Sequence, residues 1–257
     1  IGLLSLLAWG LGYVGQPRIL ARFMAVENAQ KIRPARRIAM VWMLIVLCGS
    51  VTTGLAGIAY FADQPLANPE TVFIVLSQSL FNPWVAGIIT AAILSAIMST
   101  IDSQLLVSSS VISEDFYRVF IKPKASEKEL LLVSRIAVVA IAVLALFIAS
   151  DRESRVLDLV SYAWAGFGAA FGPVIVFSLF WRKMTAMAAI VGMIIGAVTV
   201  VVWSNLEGGI FDLYEIVPGF VFASLAVIGI SLMKPQQGQI ALQQFDEAAS
   251  LLEETQQ

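Results

Sequence analysis

Serines, a threonine and an aspartate crowd into the otherwise apolar run AAILSAIMSTIDSQLLVSSS, residues 91–110. At about 100° per residue, Ser95, Ala96, Ser99, Asp102, Ser103, Ser109 and Ser110 share one side of a helix, with Thr100 at its margin. Leu94, Ile97, Met98, Ile101, Leu105 and Ile112 take the other side. Small hard cations bind several oxygens, and Ala96 through its carbonyl, with Ser99 and Thr100 through their hydroxyls, is placed to offer them. The same hydroxyls can instead bond back to the carbonyl one turn earlier, which satisfies them without a ligand. An ionisable side chain within a membrane helix costs about 2.5–3.5 kcal/mol on insertion scales, so it faces a partner, a bundle interior or a water-filled path. Asp102, with Ser103 beside it, makes the whole face a candidate site.

A second constellation lies near the start. Trp9, Tyr13 and Pro17, at i, i+4 and i+8, share a face that leads into Gly10, Gly12, Gly15 and Pro17. Glycine raises the cost of helical backbone and proline removes a donor, so the spacing predicts a helix broken near mid-membrane that resumes as an amphipathic run over 18–30. Broken helices at that depth occur where freed backbone groups line a cavity. Spacing alone equally allows plain aromatic packing between helices.

These residues need a membrane scaffold. A chain that is 59% hydrophobic and 13% charged, with a mean hydropathy of +0.86, cannot bury its apolar surface in one soluble core. A net charge of −2 without a basic face argues against a nucleic-acid partner. The chain has no histidine and one cysteine, Cys48, which removes the usual general base, the usual transition-metal ligand and any intrachain disulfide. No glycine-rich phosphate loop precedes a helix, and no two carboxylates share a membrane face. The reading is of a non-enzymatic protein whose chemistry is binding and passage.

The elements that position these groups follow in order. Residues 1–14 form a membrane segment, and 38–61 a long span behind the basic residues Lys31, Arg33, Arg36 and Arg37. A short amphipathic segment over 71–80 precedes the hydroxyl-bearing helix, which starts at Asn82-Pro83 and ends near Ile112. A polar loop over 114–135 follows. Further spans are expected over 130–149, 156–181, 184–203 and 216–233, with Gly172-Pro173 kinking one and Gly192-x-x-x-Gly196 marking another. Residues 1–234 then make a transmembrane domain, and 235–257 a Gln/Glu-rich tail, either an amphipathic helix or disordered. Of the 16 Lys and Arg, all but Arg152 and Arg155 fall on one set of alternate loops, which places the tail in the cytoplasm. The hydroxyl-bearing helix then enters from outside, with its midpoint near Ile97 and Asp102 about 7 Å further in. The opening IGLLSLLAWG, without Met, leads us to expect the C-terminal part of a longer protein.

The runs LLAWGLGYVGQPRILARFMA, FNPWVAGIITAAILSAIMSTIDSQLLVSSS with SEDFYR, and VSYAWAGFGAAFGPVIVFSLFW resemble the sodium:solute symporter family from the first residue to about Met233. The resemblance implies an all-α integral membrane protein: the second half of an inverted-repeat, five-plus-five-helix transporter fold, with two additional C-terminal helices. The N-terminal half would then be missing. It also implies sodium as the co-transported ion, held by Ala96, Ser99 and Thr100. Trp9, Tyr13 and Pro17 would contact the solute. Asp102 and Ser103 are not carried over from the family; their place on the helix alone makes them candidate supporting or coupling groups. Sodium-coupled uptake of L-proline across a bacterial inner membrane is the activity implied. Carriers of pantothenate, sugars or carboxylates share the cation helix, and a transporter-like solute sensor is a further alternative.

Overall fold

Pro17 has no amide hydrogen to give a helix and disfavours helical backbone at the residue before it. In the computed structural model, α1 (Gly2–Gly15) stops there, Gln16 is extended at φ −80° and ψ 116°, and α2 (Pro17–Met24) resumes with proline at its first position. The expected break is therefore present, and it consists of one extended residue between two helices. The structure describes residues 1–150 and 155–233 and, beyond them, 242–243, 245–248 and 250.

The remaining helices are α3 (Ile32–Tyr60), α4 (Val72–Leu80), α5 (Pro83–Ser110), α6 (Glu127–Ile148), α7 (Val156–Phe180), α8 (Ala186–Trp203) and α9 (Ile216–Met233). Local chemistry fixes several ends. Asn82 caps α5 by accepting from the Val85 amide at 3.0 Å with Pro83 next, and Thr185 caps α8 through the Ala188 amide at 3.3 Å. Among the described residues, six helical stretches, including α5 with its continuation, are long and apolar enough to cross a bilayer. Among the described residues every regular element is helical. The protein is an all-α, multi-pass membrane protein.

One expectation is corrected. The polar loop expected over 114–135 shrinks to residues 122–126: α5 runs on as a π-helix over Val111–Ile121, α6 already starts at Glu127, and the Lys122 amide reaches back five residues to the Tyr117 carbonyl at 2.9 Å. One ion pair lies within the π-helix, and a second ties its C-terminal end to α6. Arg118 meets Glu114 at 2.9 Å, and Lys122 donates to both oxygens of Glu129 at 2.8 Å. Tyr117 adds a bond to Glu129 at 2.7 Å. The hydrogen bonds from Lys122 to Glu129, and that carboxylate's charge, hold the ammonium's pKa above its ordinary value.

The chain divides into two compact units. The first comprises Ile1–Val26 and Leu144–Gln257, and in it α1, α7, α8 and α9 pack together around Ala8, Trp164, Ala165, Ala169, Val200 and Ile216. Small residues let these backbones meet: a Cβ on Gly196 of α8 would run into the Ala169 carbonyl of α7. In the same unit Arg182 grips Asp246 with two parallel bonds of 2.8 Å. The pairing raises the arginine's pKa and lowers the aspartate's. The rest of the tail lies largely outside the described residues, as do Arg152 and Lys234.

The second unit, Glu27–Val143, holds α3, α4, α5, the π-helix and most of α6. Its large apolar side chains, among them Trp42, Leu55, Trp84, Ile88, Met98 and Val139, are mostly exposed. Such surfaces suit lipid or further helices.

Candidate functional site

In the first unit, Trp9 stacks on Trp164 at a ring separation of 5.6 Å and on Tyr214 at 6.0 Å. Tyr13 meets the same Trp164 edge-on at 4.9 Å. These are favourable aromatic geometries, offset or T-shaped, and they carry Trp9 and Tyr13 as one assembly. The Trp164 indole N–H donates to the Trp9 carbonyl at 2.9 Å. Gln16, buried at the break, turns its side-chain amide towards the Trp164 carbonyl at 3.5 Å. Tyr214 is anchored at two points, its amide donating to Ser5 Oγ at 3.1 Å and its hydroxyl to the Ser161 carbonyl at 2.7 Å. Burial, with Glu215 beside it, raises the Tyr214 phenol well above its ordinary value, and burial likewise raises the Glu215 carboxyl.

Packing holds the Trp9 ring but leaves it half-buried, whereas Tyr13 remains 42% exposed. Among the described residues the Tyr13 hydroxyl has no hydrogen-bond partner. It is free to meet a carboxylate or an ammonium group. Pro17 is half-buried at the start of α2 and makes none of the ring contacts. The structure thus brings together two of the three residues picked out by spacing, and it adds Trp164, Gln16 and Tyr214, which the sequence did not reveal. The signal available was a large indole within the small-residue run AWAGFGAAFG, which must fill a space of its own.

In the second unit, one carbonyl organises the hydroxyls of α5. Ser99 Oγ donates to the Ala96 oxygen at 2.9 Å and Thr100 Oγ1 donates to the same oxygen at 3.2 Å. Ser103 closes the next turn, donating to the Ser99 carbonyl at 3.1 Å and the Thr100 carbonyl at 2.9 Å. The back-bonded arrangement is the one present. It does not remove the oxygens from cation chemistry, because a hydroxyl that donates keeps its lone pairs as acceptors. It does mean that a cation reaching the Ala96 carbonyl competes with two O–H donors for it. Ser99, Thr100 and Asp102 are exposed, and Asp102 has no ion pair among the described residues. Ser109, by contrast, is 1% exposed and bonds back to the Leu106 carbonyl at 3.1 Å.

The profile of the sodium:solute symporter family matches residues 1–196. The sodium/proline symporter of Haemophilus influenzae is 53% identical over 99% of this chain and 52% of its own length. The sodium/proline symporter of Escherichia coli is 52% identical over 96% of the chain and 50% of its own. The high-affinity proline transporter of Bacillus subtilis is 49% identical over 96% and 52%. The chain spans about half the length of the curated relatives it matches. No solved structure matches it significantly.

Proposed function

Since the chain belongs to the sodium:solute symporter family, we propose that it forms part of a symporter that uses the inward sodium gradient to accumulate L-proline across a bacterial cytoplasmic membrane. The observation that carries this reading is that relatives 49% to 53% identical over at least 96% of the chain are named for proline transport. Sodium is a transported substrate here. The Ala96 carbonyl and the Ser99 and Thr100 hydroxyls hold it, with Asp102 and Ser103 one turn further along α5 as coupling groups. A cation must first displace the two hydroxyl protons that point at the Ala96 oxygen, and each such neutral bond is worth about 0.5–1.5 kcal/mol net. That competition favours an ion that coordinates several oxygens at once.

Proline presents a carboxylate, a secondary ammonium and an apolar ring. Tyr13 supplies a free hydroxyl and an aromatic edge for it, Trp9 the ring wall and Pro17 the opened backbone beside Gln16. The chain supplies the second five of ten core helices and two additional ones, with residues 1–234 as the transmembrane domain and 235–257 as a cytoplasmic tail. The rest of the wall around both substrates comes from parts of the transporter outside this chain, which fits the half-length coverage of the relatives. Alternating access then moves one helix bundle against another around the bound pair.

Competition against labelled proline uptake in proteoliposomes of the full-length transporter tests the solute. Inhibition by unlabelled L-proline and none by pantothenate, sugars or carboxylates is expected, and the reverse order would reassign the substrate.

A further inference from the structure

We infer that Trp164 is a positioning residue for the solute face of α1, acting through its indole N–H and ring on Trp9 and Tyr13; this rests on the reading of that face as the solute side. Trp164 belongs to α7 and is 7% exposed, so it is walled off from any solute. Yet, among the described residues, its indole N–H and its ring contacts all go to α1, to Trp9 and Tyr13 ahead of the break. Its N–H reaches the Trp9 carbonyl at 2.9 Å, its ring stacks on Trp9 with planes 14° apart, and the Tyr13 ring stands on it at 84°.

The space for this is built into α1. Gly12 lies on the same face as Trp9 and Tyr13, at i+3 and i−1, and a Cβ there would overlap the indole. The indole is thus seated against bare backbone and in contact with both the Trp9 and the Tyr13 rings. Gln16, the extended residue between α1 and α2, adds its side-chain amide to the Trp164 carbonyl at 3.5 Å. A packing residue would need only shape. This one also directs a donor at a carbonyl that already belongs to a helix, and so fixes the height and rotation of Trp9 and Tyr13 relative to the break.

Trp164→Phe keeps a ring in the slot and removes the donor. In proteoliposomes of the full-length transporter it is expected to raise the proline KM by roughly threefold to tenfold, the range that loss of one neutral hydrogen bond gives. Vmax and membrane abundance should stay within about twofold, a split that a merely structural role would not produce. An unchanged KM overturns the inference, as does a fall in Vmax and abundance with KM unaltered. A second arm needs neither proline nor sodium. In a cysteine-free background, Tyr13→Cys is alkylated by a water-soluble maleimide, and adding Trp164→Phe should speed the reaction because position 13 is no longer held. An unaltered alkylation rate overturns the positioning role even if transport of proline is itself disproved. A wild type without sodium-dependent proline uptake, combined with faster alkylation, would overturn the transport reading and leave the positioning role supported.

Discussion

The indole N–H of Trp164 donates to the carbonyl of Trp9 across 2.9 Å while the two rings stack 5.6 Å apart. Two helices separated by some 150 residues in sequence are therefore tied about two turns ahead of the break at Gln16. The tie depends on a missing side chain. Gly12 leaves the room that the indole occupies, and the Gly15 and Gly168 positions continue the close approach of α1 to α7.

Gly12→Ala should therefore destabilise the bundle by about 1–3 kcal/mol, the usual cost of forcing a methyl into a full core. Gly10→Ala is the matched control, because nothing lies within 4 Å of a Cβ at Gly10. That variant should be neutral or slightly stabilising through helix propensity alone. Thermal unfolding midpoints of the two variants in one detergent check this. Equal midpoints would mean that α1 does not pack on Trp164.

Thr100→Ala and Ser99→Ala each remove one oxygen from the group around the Ala96 carbonyl. Each should raise the sodium concentration for half-maximal proline uptake by about tenfold or more, since a bond to a charged species is worth roughly 1.5–3 kcal/mol. Thr100→Ser keeps the oxygen and should stay near wild type. Sodium titrations of initial uptake rate decide the matter, and unchanged sodium dependence in both alanine variants would remove the hydroxyls from the site.

Tyr13 acts through a hydroxyl with no partner among the described residues and through its ring on Trp164. Tyr13→Phe should weaken proline affinity by several-fold while leaving sodium binding without proline unaltered, and Tyr13→Ala should weaken proline further. Equal loss of both ligands in Tyr13→Phe would indicate damage to the bundle instead.

Burial raises the carboxyl pKa of Glu215, just ahead of α9. The folded state then holds a proton that the unfolded chain has released, so stability falls as pH rises from about 4.3 through the raised value. Below about 4 both states are protonated and the penalty is gone. Glu215→Gln should accordingly be more thermostable than wild type at neutral pH, with the difference closing on acidification. A pH series of unfolding midpoints checks the sign; a Gln variant less stable at neutral pH would show that the carboxylate is held by a favourable contact.

Much of this was legible in the sequence where the determinant is local. Pro17 announces the break after Gly15, Asn82-Pro83 announces the start of α5, and the apolar run Ile216–Met233 delimits α9 to the residue. Periodicity grouped Ser99 and Thr100, and the tendency of hydroxyls to bond back along a helix anticipated their contacts with Ala96. What stayed hidden depends on residues distant in sequence or on cooperative pairing. No local pattern marks Trp164 and Tyr214 as the neighbours of Trp9, because that contact is made by the packing of α1, α7 and the approach to α9. The polar stretch from Glu114 reads as a loop by composition. It continues α5 instead, with one ion pair inside it and a second from its end to Glu129 of α6.

The account stands most directly on coupling between sodium and proline flux. Proteoliposomes of the full-length transporter are loaded with the same proline concentration inside and out, so that no proline gradient exists, and an inward sodium gradient alone is imposed. The account predicts a transient accumulation of labelled proline above equilibrium that collapses when a sodium ionophore dissipates the gradient, and that a potassium gradient of equal size does not produce. Proline that merely equilibrates at the same rate whichever cation gradient is imposed would contradict it.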